Sequence, residues 1–299
     1  AAKAAPAVVS LLTQAPTDAS VSGSGFLVDS SGYVVTNVGV VANSNSLVAL
    51  LAGDAKPHDA RLIDFDCQTQ VAVVKIDGLR SLPTLPWADP AALQLGQTVV
   101  ALAGPASVHS LVTRGIVSAT HQEGSTSDPL HPEITRSLAD TIQTDASSDS
   151  QSSGGPLLNV DGQVMGVTVN SPSTSSAFAL STAAVQPEVD QIIGTGSLSI
   201  ATLGITSQDL GLGEAALHGE PVGGALVKSV DPGGPADRAG IKVGDVIRQL
   251  DDVTLDPAHP LSSVLRSRFT PSQKSTVTYQ RDGSTNQVAL TLSGGHPSC

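Results

Sequence analysis

Aromatic and sulfur-containing residues are scarce in this chain. Of its 299 residues, 2% are aromatic, and there are two cysteines and one methionine. A core with so few rings must be built from Val, Leu, Ile and Ala, which favours many short strands. The hydrophobic fraction of 40% excludes an overall disordered chain. Two cysteines, Cys67 and Cys299, cannot form a disulfide framework. The two cysteines either form one disulfide bond with each other or remain unpaired thiols, and the sequence leaves both alternatives open.

Positive charge is also scarce. The chain has 15 Lys and Arg against 27 Asp and Glu, a formal charge of −12, and no basic cluster escapes that average, which argues against a nucleic-acid partner. No apolar run reaches the roughly 18 residues that cross a bilayer, and the first residues lack the features of a signal peptide. We therefore expect any signal or membrane anchor to have been removed or to precede residue 1. No histidine pair has the spacing of metal ligands, so neither a metal nor a cofactor is expected.

Short apolar runs bounded by turn residues recur along the first part of the chain. They predict strands at residues 25–28, 33–37, 46–51, 60–65, 71–76, 98–103, 113–120, 157–159 and 163–170. A count near a dozen suits a double β-barrel better than a single sandwich. A helical pattern at 182–193 is followed by the small-residue break 194–198. We place the domain boundary there, with domains at 1–195 and 196–294 and a tail at 295–299.

Two segments resemble the HtrA family of trypsin-like serine proteases. Gly23–Val41 (GSGFLVDSSGYVVTNVGVV) is similar to the family's Gly-Ser-Gly-Phe strand followed by Gly-Tyr, two apolar residues and Thr-Asn-x-His-Val-Val. Gly39 stands where the family has its catalytic histidine. Asp66–Ile76 (DCQTQVAVVKI) is similar to the family's block around the catalytic aspartate, and Gln70 stands at the position of that aspartate.

A third segment resembles the family's block around the nucleophile. Gln143–Leu157 (QTDASSDSQSSGGPL) ends in Ser-Gly-Gly-Pro-Leu, and Ser153 is the serine of that motif. The family usually has Gly-Asn before the serine, whereas this chain has Gln151 and Ser152. The residue at the Gln151 position supplies an oxyanion-hole N–H in the family, and glutamine tolerates the unusual backbone angles of a glycine poorly. Weaker matches at Thr113–Ala119 (TRGIVSA) and Phe178–Leu180 (FAL) follow in the same order, so the resemblance covers nearly all of residues 1–195.

The substituted positions predict a loss of catalysis. A serine hydroxyl is a poor nucleophile near neutral pH unless a base accepts its proton. Gly39 has no side chain to do so, and losing triad members costs on the order of 10⁴ to 10⁶ in turnover. No other histidine stands in a catalytic context: His58 is predicted to lie in a hairpin turn and His121 at the end of a strand. We interpret Ser153 as a vestigial nucleophile, kept because its turn leads into a core strand. Residual reactivity is the alternative.

The last hundred residues resemble a bacterial PDZ domain. The resemblance rests on Asp231–Leu250 (DPGGPADRAGIKVGDVIRQL), in which a short helix feeds a turn and a strand. It implies a peptide groove between the strand after Gly204 and a helix at Leu261–Arg268, closed by strands at 276–281 and 287–292. The peptide-binding residues expected from it are Leu203, Gly204, Ile205, Leu261 and Leu265. A structural spacer with a covered groove is the alternative.

The sequence therefore predicts an all-β protein with a two-barrel trypsin-like fold followed by a PDZ domain, which is a partly open β-barrel with short helices. We interpret it as an HtrA-like pseudoprotease, a peptide- or protein-binding scaffold or regulator in the bacterial periplasm or cell envelope. The alternative is an active HtrA-type serine endopeptidase in envelope protein quality control. The family resemblance also leaves open a homotrimer, as in a structural hub, and a membrane anchor.

Overall fold

The chain forms two compact units, the first ending at Leu198 and the second beginning at Ser199. The computed structural model describes residues 1–15, 18–41, 46–54, 56–105, 112–128, 135–147, 151–169, 177–257 and 259–296. The predicted domain limits at 195 and 294 remain a prediction.

The first six strands close into an antiparallel barrel in the order β1-β2-β3-β6-β5-β4. They are Val8–Ala15 (β1), Asp18–Asp29 (β2), Tyr33–Asn37 (β3), Leu47–Leu51 (β4), His58–Asp66 (β5) and Val71–Ile76 (β6), and the short helix Val38–Val41 (α1) follows β3. Aliphatic side chains fill the interior, and the fully buried ring of Phe26 meets Trp87 edge-on at 5.7 Å between centroids. Cys67 is buried and disulfide-bonded, while Cys299 lies outside the described residues.

The next six strands close into a second antiparallel barrel in the order β10-β11-β12-β9-β8-β7. They are Thr98–Leu102 (β7), Val112–Ser127 (β8), Thr135–Thr144 (β9), Pro156–Leu158 (β10), Val164–Val169 (β11) and Ala177–Ser181 (β12), followed by the helix Thr182–Thr195 (α2). The Ser181 hydroxyl accepts a hydrogen bond from the Ala184 N–H and so caps α2 at its start. Gly196, with φ of 81°, ends the helix.

The second unit is an open sheet with short helices packed around one apolar core. Its sheet has the strand order β14-β15-β16-β18-β19, with β17 paired to β16, and β13 pairs separately with β20. The strands are Ile200–Thr202 (β13), Ile205–Asp209 (β14), Ala225–Val230 (β15), Val246–Leu250 (β16), Val253–Thr254 (β17), Lys274–Arg281 (β18), Ser284–Thr291 (β19) and Ser293–Gly295 (β20). The helices are Leu212–His218 (α3), Pro235–Arg238 (α4) and Leu261–Arg268 (α5).

The predicted fold class is confirmed, with two barrels followed by a smaller sheet domain. Elements that were not predicted include β1, β9, β12 and α3. Two predictions about histidines also differ from the structure. His58 begins β5 instead of lying in a hairpin turn, and His121 lies inside β8 because that strand continues to Ser127. In the described part of the chain, no helix is long and apolar enough to cross a membrane.

Candidate functional site

Ser153 lies in a tight turn that leads into β10. The residue is 7% exposed, and its carbonyl accepts a hydrogen bond of 2.9 Å from the Ser24 N–H on β2. The turn closes on itself through the Gly155 N–H, which donates to the Ser152 carbonyl at 2.9 Å. Among the described residues, nothing hydrogen-bonds with the Ser153 hydroxyl.

Gly154 fixes this turn between the two barrels of the first unit. Its φ is 80°, and its N–H donates to the Thr168 carbonyl on β11 at 2.8 Å. On the other side, a Cβ placed on Gly154 would lie 2.3 Å from Thr36 Oγ1 and 2.8 Å from the Asn37 nitrogen, at the end of β3. The nucleophile turn therefore packs directly against the strand end that precedes α1.

Gly39 and Gln70 are brought together by their backbones. Gly39 is exposed in α1, and its N–H donates to Asn37 Oδ1 at 2.8 Å. The neighbouring Val38 N–H donates to the Gln70 carbonyl at 2.9 Å. The positions that the resemblance assigned to the histidine and the aspartate are thus adjacent, beside the turn of Ser153.

The Gln70 side chain forms a hydrogen bond with a nearby backbone carbonyl. It is 1% exposed and has a φ of 58°, and its amide donates to the carbonyl of Cys67. An amide held in this way carries no charge, and Gly39 has no side chain for it to orient. Among the described residues, Gly39 and Gln70 therefore place no basic or ionisable side chain beside the turn of Ser153.

Gln151 is tied to the first barrel through its backbone. Its carbonyl accepts a hydrogen bond of 2.5 Å from Ser24 Oγ, and the same hydroxyl accepts one of 2.8 Å from the Gly104 N–H. Ser152 is buried behind it. The rest of the predicted oxyanion loop, residues 149–150, lies outside the described residues.

Three described histidines hydrogen-bond with local aspartates. His58 contacts Asp54 at 2.8 Å, His121 on β8 contacts Asp140 on β9 at 2.6 Å, and His259 contacts Asp256 at 3.0 Å. None of these contacts involves Ser153. His109 and His131 lie outside the described residues. The described positions contain no group of three or more His, Cys, Asp or Glu side chains that could hold a metal ion.

The second unit contains an open strand edge beside a helix. β14 is the outermost strand of its sheet and pairs with β15. Leu203, before this strand, is fully buried in the same core as Leu261 and Leu265 of α5, and Ile205 packs against that core. Leu203 and Gly204 thus precede β14, Ile205 begins it, and Leu261 and Leu265 belong to α5. Their assignment to peptide binding remains a prediction.

Gly204 has the left-handed backbone that the predicted loop needs. Its φ is 69°, and its carbonyl accepts a hydrogen bond of 2.9 Å from the Asp231 N–H. A Cβ there would lie 3.2 Å from Pro235 Cδ. The Gly204 N–H, expected to point into the groove, donates instead to Thr202 Oγ1 at 3.0 Å. In this structure that N–H is already used within the loop.

Asp209, at the far end of β14, was not identified from the sequence. Its carboxylate accepts a hydrogen bond from the Leu261 backbone N–H at the start of α5. Burial raises the pKa of the Asp209 carboxyl, and the hydrogen bond opposes that shift only in part. In the sequence, Asp209 is only a single acidic residue in the strand ITSQD. Its role depends on which face of that strand is turned toward α5, which the sequence does not show.

Both units are similar to known domain families. Residues 23–167 match the trypsin-like peptidase domain, and residues 201–292 match the PDZ domain. A protein of Halomonas elongata described as "Probable periplasmic serine endoprotease DegP-like" is 33% identical over 276 residues, covering 90% of this chain and 56% of the relative. A protein of Chlamydia pneumoniae with the same description is 34% identical over 279 residues, covering 91% and 55%. The chain thus spans about half the length of the curated relatives it matches.

Solved structures resemble the chain over almost its whole length. "HtrA-type protease AlgW with decapeptide" has a TM-score of 0.80 and 27% identity, covering 99% of this chain and 98% of that one. The serine endoprotease from Yersinia pestis has a TM-score of 0.71 and 27% identity, covering 98% and 96%.

Proposed function

Because the chain belongs to the HtrA family, with a trypsin-like peptidase fold followed by a PDZ domain, we propose that it binds peptides or protein C termini without cleaving them. The relatives' described location suggests that it does so outside the cytoplasm, in the periplasm or cell envelope.

One observation carries the proposed loss of proteolysis: Gly39 stands in α1 beside the Ser153 turn and provides no base. Proton removal from serine during attack requires such a group. The absence of a carboxylate at position 70 has the same effect. The neutral Gln70 amide donates to the Cys67 carbonyl and cannot balance a developing positive charge. We propose that Ser153 is a vestigial nucleophile, with Gly39 and Gln70 at the positions of the lost histidine and aspartate.

The proposed role of Gln151 is a second obstacle to catalysis. Oxyanion donors act through the positions of their N–H groups, so small displacements matter. We propose that glutamine, at a position where the family usually has glycine, keeps the loop from forming a working oxyanion hole.

Peptide binding is proposed for the groove between β14 and α5. A strand edge without a further partner in the described sheet accepts an extended ligand through main-chain hydrogen bonds, and apolar pockets select its side chains. Leu203 and Ile205 lie at the Gly204 end and share one apolar core with Leu261 and Leu265 of α5, and we propose that the apolar side chain of the ligand packs against this core. Ordering a flexible peptide offsets much of the gain, so we expect affinities on the order of micromolar.

The loss of reactivity is tested by labelling with an activated fluorophosphonate, which reports a nucleophilic serine directly. We expect no label on the full chain under conditions that label an active relative to completion. The control is Ser153→Ala, which must give the same background. Labelling of the wild-type chain that disappears in Ser153→Ala would overturn the proposal.

The alternative proposal is an active serine endopeptidase, favoured by the descriptions of the relatives. It requires a base that reaches Ser153 from outside the described residues. Turnover of unfolded casein that Ser153→Ala abolishes would establish it. A homotrimer and a membrane anchor stay predictions, and the first is tested by the mass of the chain in solution.

A further inference from the structure

The strand edge of the groove has one regular face toward α5. Alternate residues of a strand share a face, so Ile205, Ser207 and Asp209 point the same way along β14. The pairing of β14 with β15 has one irregularity, between Thr206 and Ser207, and the extra residue there is Lys228 on β15. The alternation of β14 itself is therefore uninterrupted.

Two contacts identify this face as the one toward α5. Ile205, at the start of β14, packs against the core that contains Leu261 and Leu265. Asp209, at the end of the strand, accepts the hydrogen bond from the Leu261 N–H. The groove thus has an apolar end near Gly204 and a carboxylate at the opposite end.

The Asp209 carboxylate has no positive partner within the described chain. No Lys, Arg or His of these residues pairs with it, and the Leu261 N–H is its hydrogen-bond donor. The side chain is exposed, so a ligand group can reach it directly. A cationic ligand group would favour the charged form of this carboxylate and oppose the upward shift of its pKa.

We propose that Asp209 is a specificity-determining residue of the groove, selecting peptides that carry lysine or arginine upstream of an apolar C-terminal residue. This inference rests on the proposed peptide binding and adds the charge of the ligand to it. Neither part requires proteolysis.

The register of an added strand fixes where that cation must stand. A ligand that runs antiparallel to β14, with its C-terminus at the Gly204 loop, places each earlier residue further toward Asp209. Asp209 is four residues beyond Ile205, about 14 Å at 3.4 Å per residue. A ligand residue opposite Asp209 is therefore four positions before the one opposite Ile205, and both side chains share the α5-facing side. Lysine at the fourth residue before the C-terminal one should bind better than lysine at the third.

The expected effect is moderate because part of the Asp209 surface stays exposed. Ion pairs in such surroundings change affinity by roughly two- to fivefold, and salt weakens them. The preference should therefore decline between low and high ionic strength, while binding of a neutral peptide changes little.

The test is fluorescence polarisation with the full chain and labelled eight-residue peptides of alanine and serine ending in leucine. One peptide is neutral, and the others carry a single lysine at the third or the fourth residue before the C-terminal one. Relative to the neutral peptide, we expect a two- to fivefold lower Kd for lysine at the fourth position. Lysine at the third position should give at most half of that gain in binding free energy.

Three variants separate the charge of Asp209 from other effects. Asp209→Asn, which keeps an oxygen to accept the Leu261 N–H, should abolish the preference for lysine, and Asp209→Lys should reverse it in favour of glutamate at the same position. Asp252→Asn removes the same charge from the turn between β16 and β17 and should keep the preference. Circular dichroism melting confirms that each variant is folded.

The outcomes distinguish this inference from the proposal beneath it. Equal Kd values for neutral and lysine peptides, or a lysine preference that survives in Asp209→Asn, would overturn the role of Asp209 and leave peptide binding intact. Failure of every peptide to bind below millimolar concentration would overturn both.

Discussion

Gly154 and Gly162 offer a matched pair of substitutions within the first unit. Both have left-handed backbones, with φ of 80° and 82°, a conformation that costs a residue with a Cβ about 1–2 kcal/mol. Their surroundings differ, because a Cβ on Gly162 would meet nothing within 4 Å, whereas one on Gly154 would lie 2.3 Å from Thr36 Oγ1 and 2.4 Å from the Ser24 carbonyl oxygen. Gly154→Ala therefore adds an overpacking cost of about 1–3 kcal/mol to the backbone cost.

We expect Gly162→Ala to lower the free energy of unfolding of the first unit by about 1–2 kcal/mol and Gly154→Ala by about 2–5 kcal/mol. Urea unfolding followed by tryptophan fluorescence measures this unit, because the chain has one tryptophan, Trp87, which packs on Phe26. Equal losses in the two variants would refute the reasoning. They would mean that packing does not hold the Ser-Gly-Gly-Pro turn, and the structural explanation for keeping that motif would fail with it.

Three further predictions concern catalysis, the groove and acid stability. Gly39→His combined with Gln70→Asp should restore less than about 1% of the casein turnover of an active relative, because a poorly formed oxyanion hole alone costs about 10²–10³; a rate near that of the relative would show that the loop is sound. Gly204→Pro in the full chain, or amidation of a peptide's C-terminus, should weaken peptide binding at least several-fold in fluorescence polarisation, and binding indifferent to both would leave the PDZ domain as a spacer. Hydrogen bonds from the Ser31 hydroxyl and N–H lower the pKa of Asp29, so its contribution to stability is present above the unfolded-state pKa and is lost as pH falls through the lower folded-state value. Ser31→Ala should raise that folded-state pKa toward the usual range in an NMR titration, and an unchanged value would contradict the assignment.

The sequence predicted the fold where the apolar pattern follows burial. β6 is apolar except at the half-buried Lys75 because the rest of the strand is buried in the first barrel, and its predicted limits, 71–76, are those of the structure. The end of β8 was not predicted, because residues 121–127 (HQEGSTS) pair with β9 but show no apolar alternation. α3 is too short to show a helical period, and it is held by a small cluster around Leu210 and Ala215.

The candidate sites were predicted unevenly for a similar reason. The family resemblance indicated that Gly39, Gln70 and Ser153 share one place. In the structure, the Val38 N–H donates to the Gln70 carbonyl, and the turn of Ser153 packs against the end of β3. The Gly204 N–H was expected to be free, because the sequence does not show that the Thr202 hydroxyl lies within 3.0 Å of it. The sequence did not identify Asp209 as a site residue because its place in the groove depends on the direction of β14 and on the position of α5.

The central claim is that this HtrA-family chain holds peptides without cutting them, and one sample can test both halves. The chain is saturated with a labelled peptide that ends in an apolar residue, in the presence of unfolded casein. Polarisation then reports binding while mass spectrometry follows both substrates. The account predicts a bound peptide and intact casein over a period in which an active relative degrades its casein completely. Cleavage that Ser153→Ala abolishes, with or without binding, would contradict it.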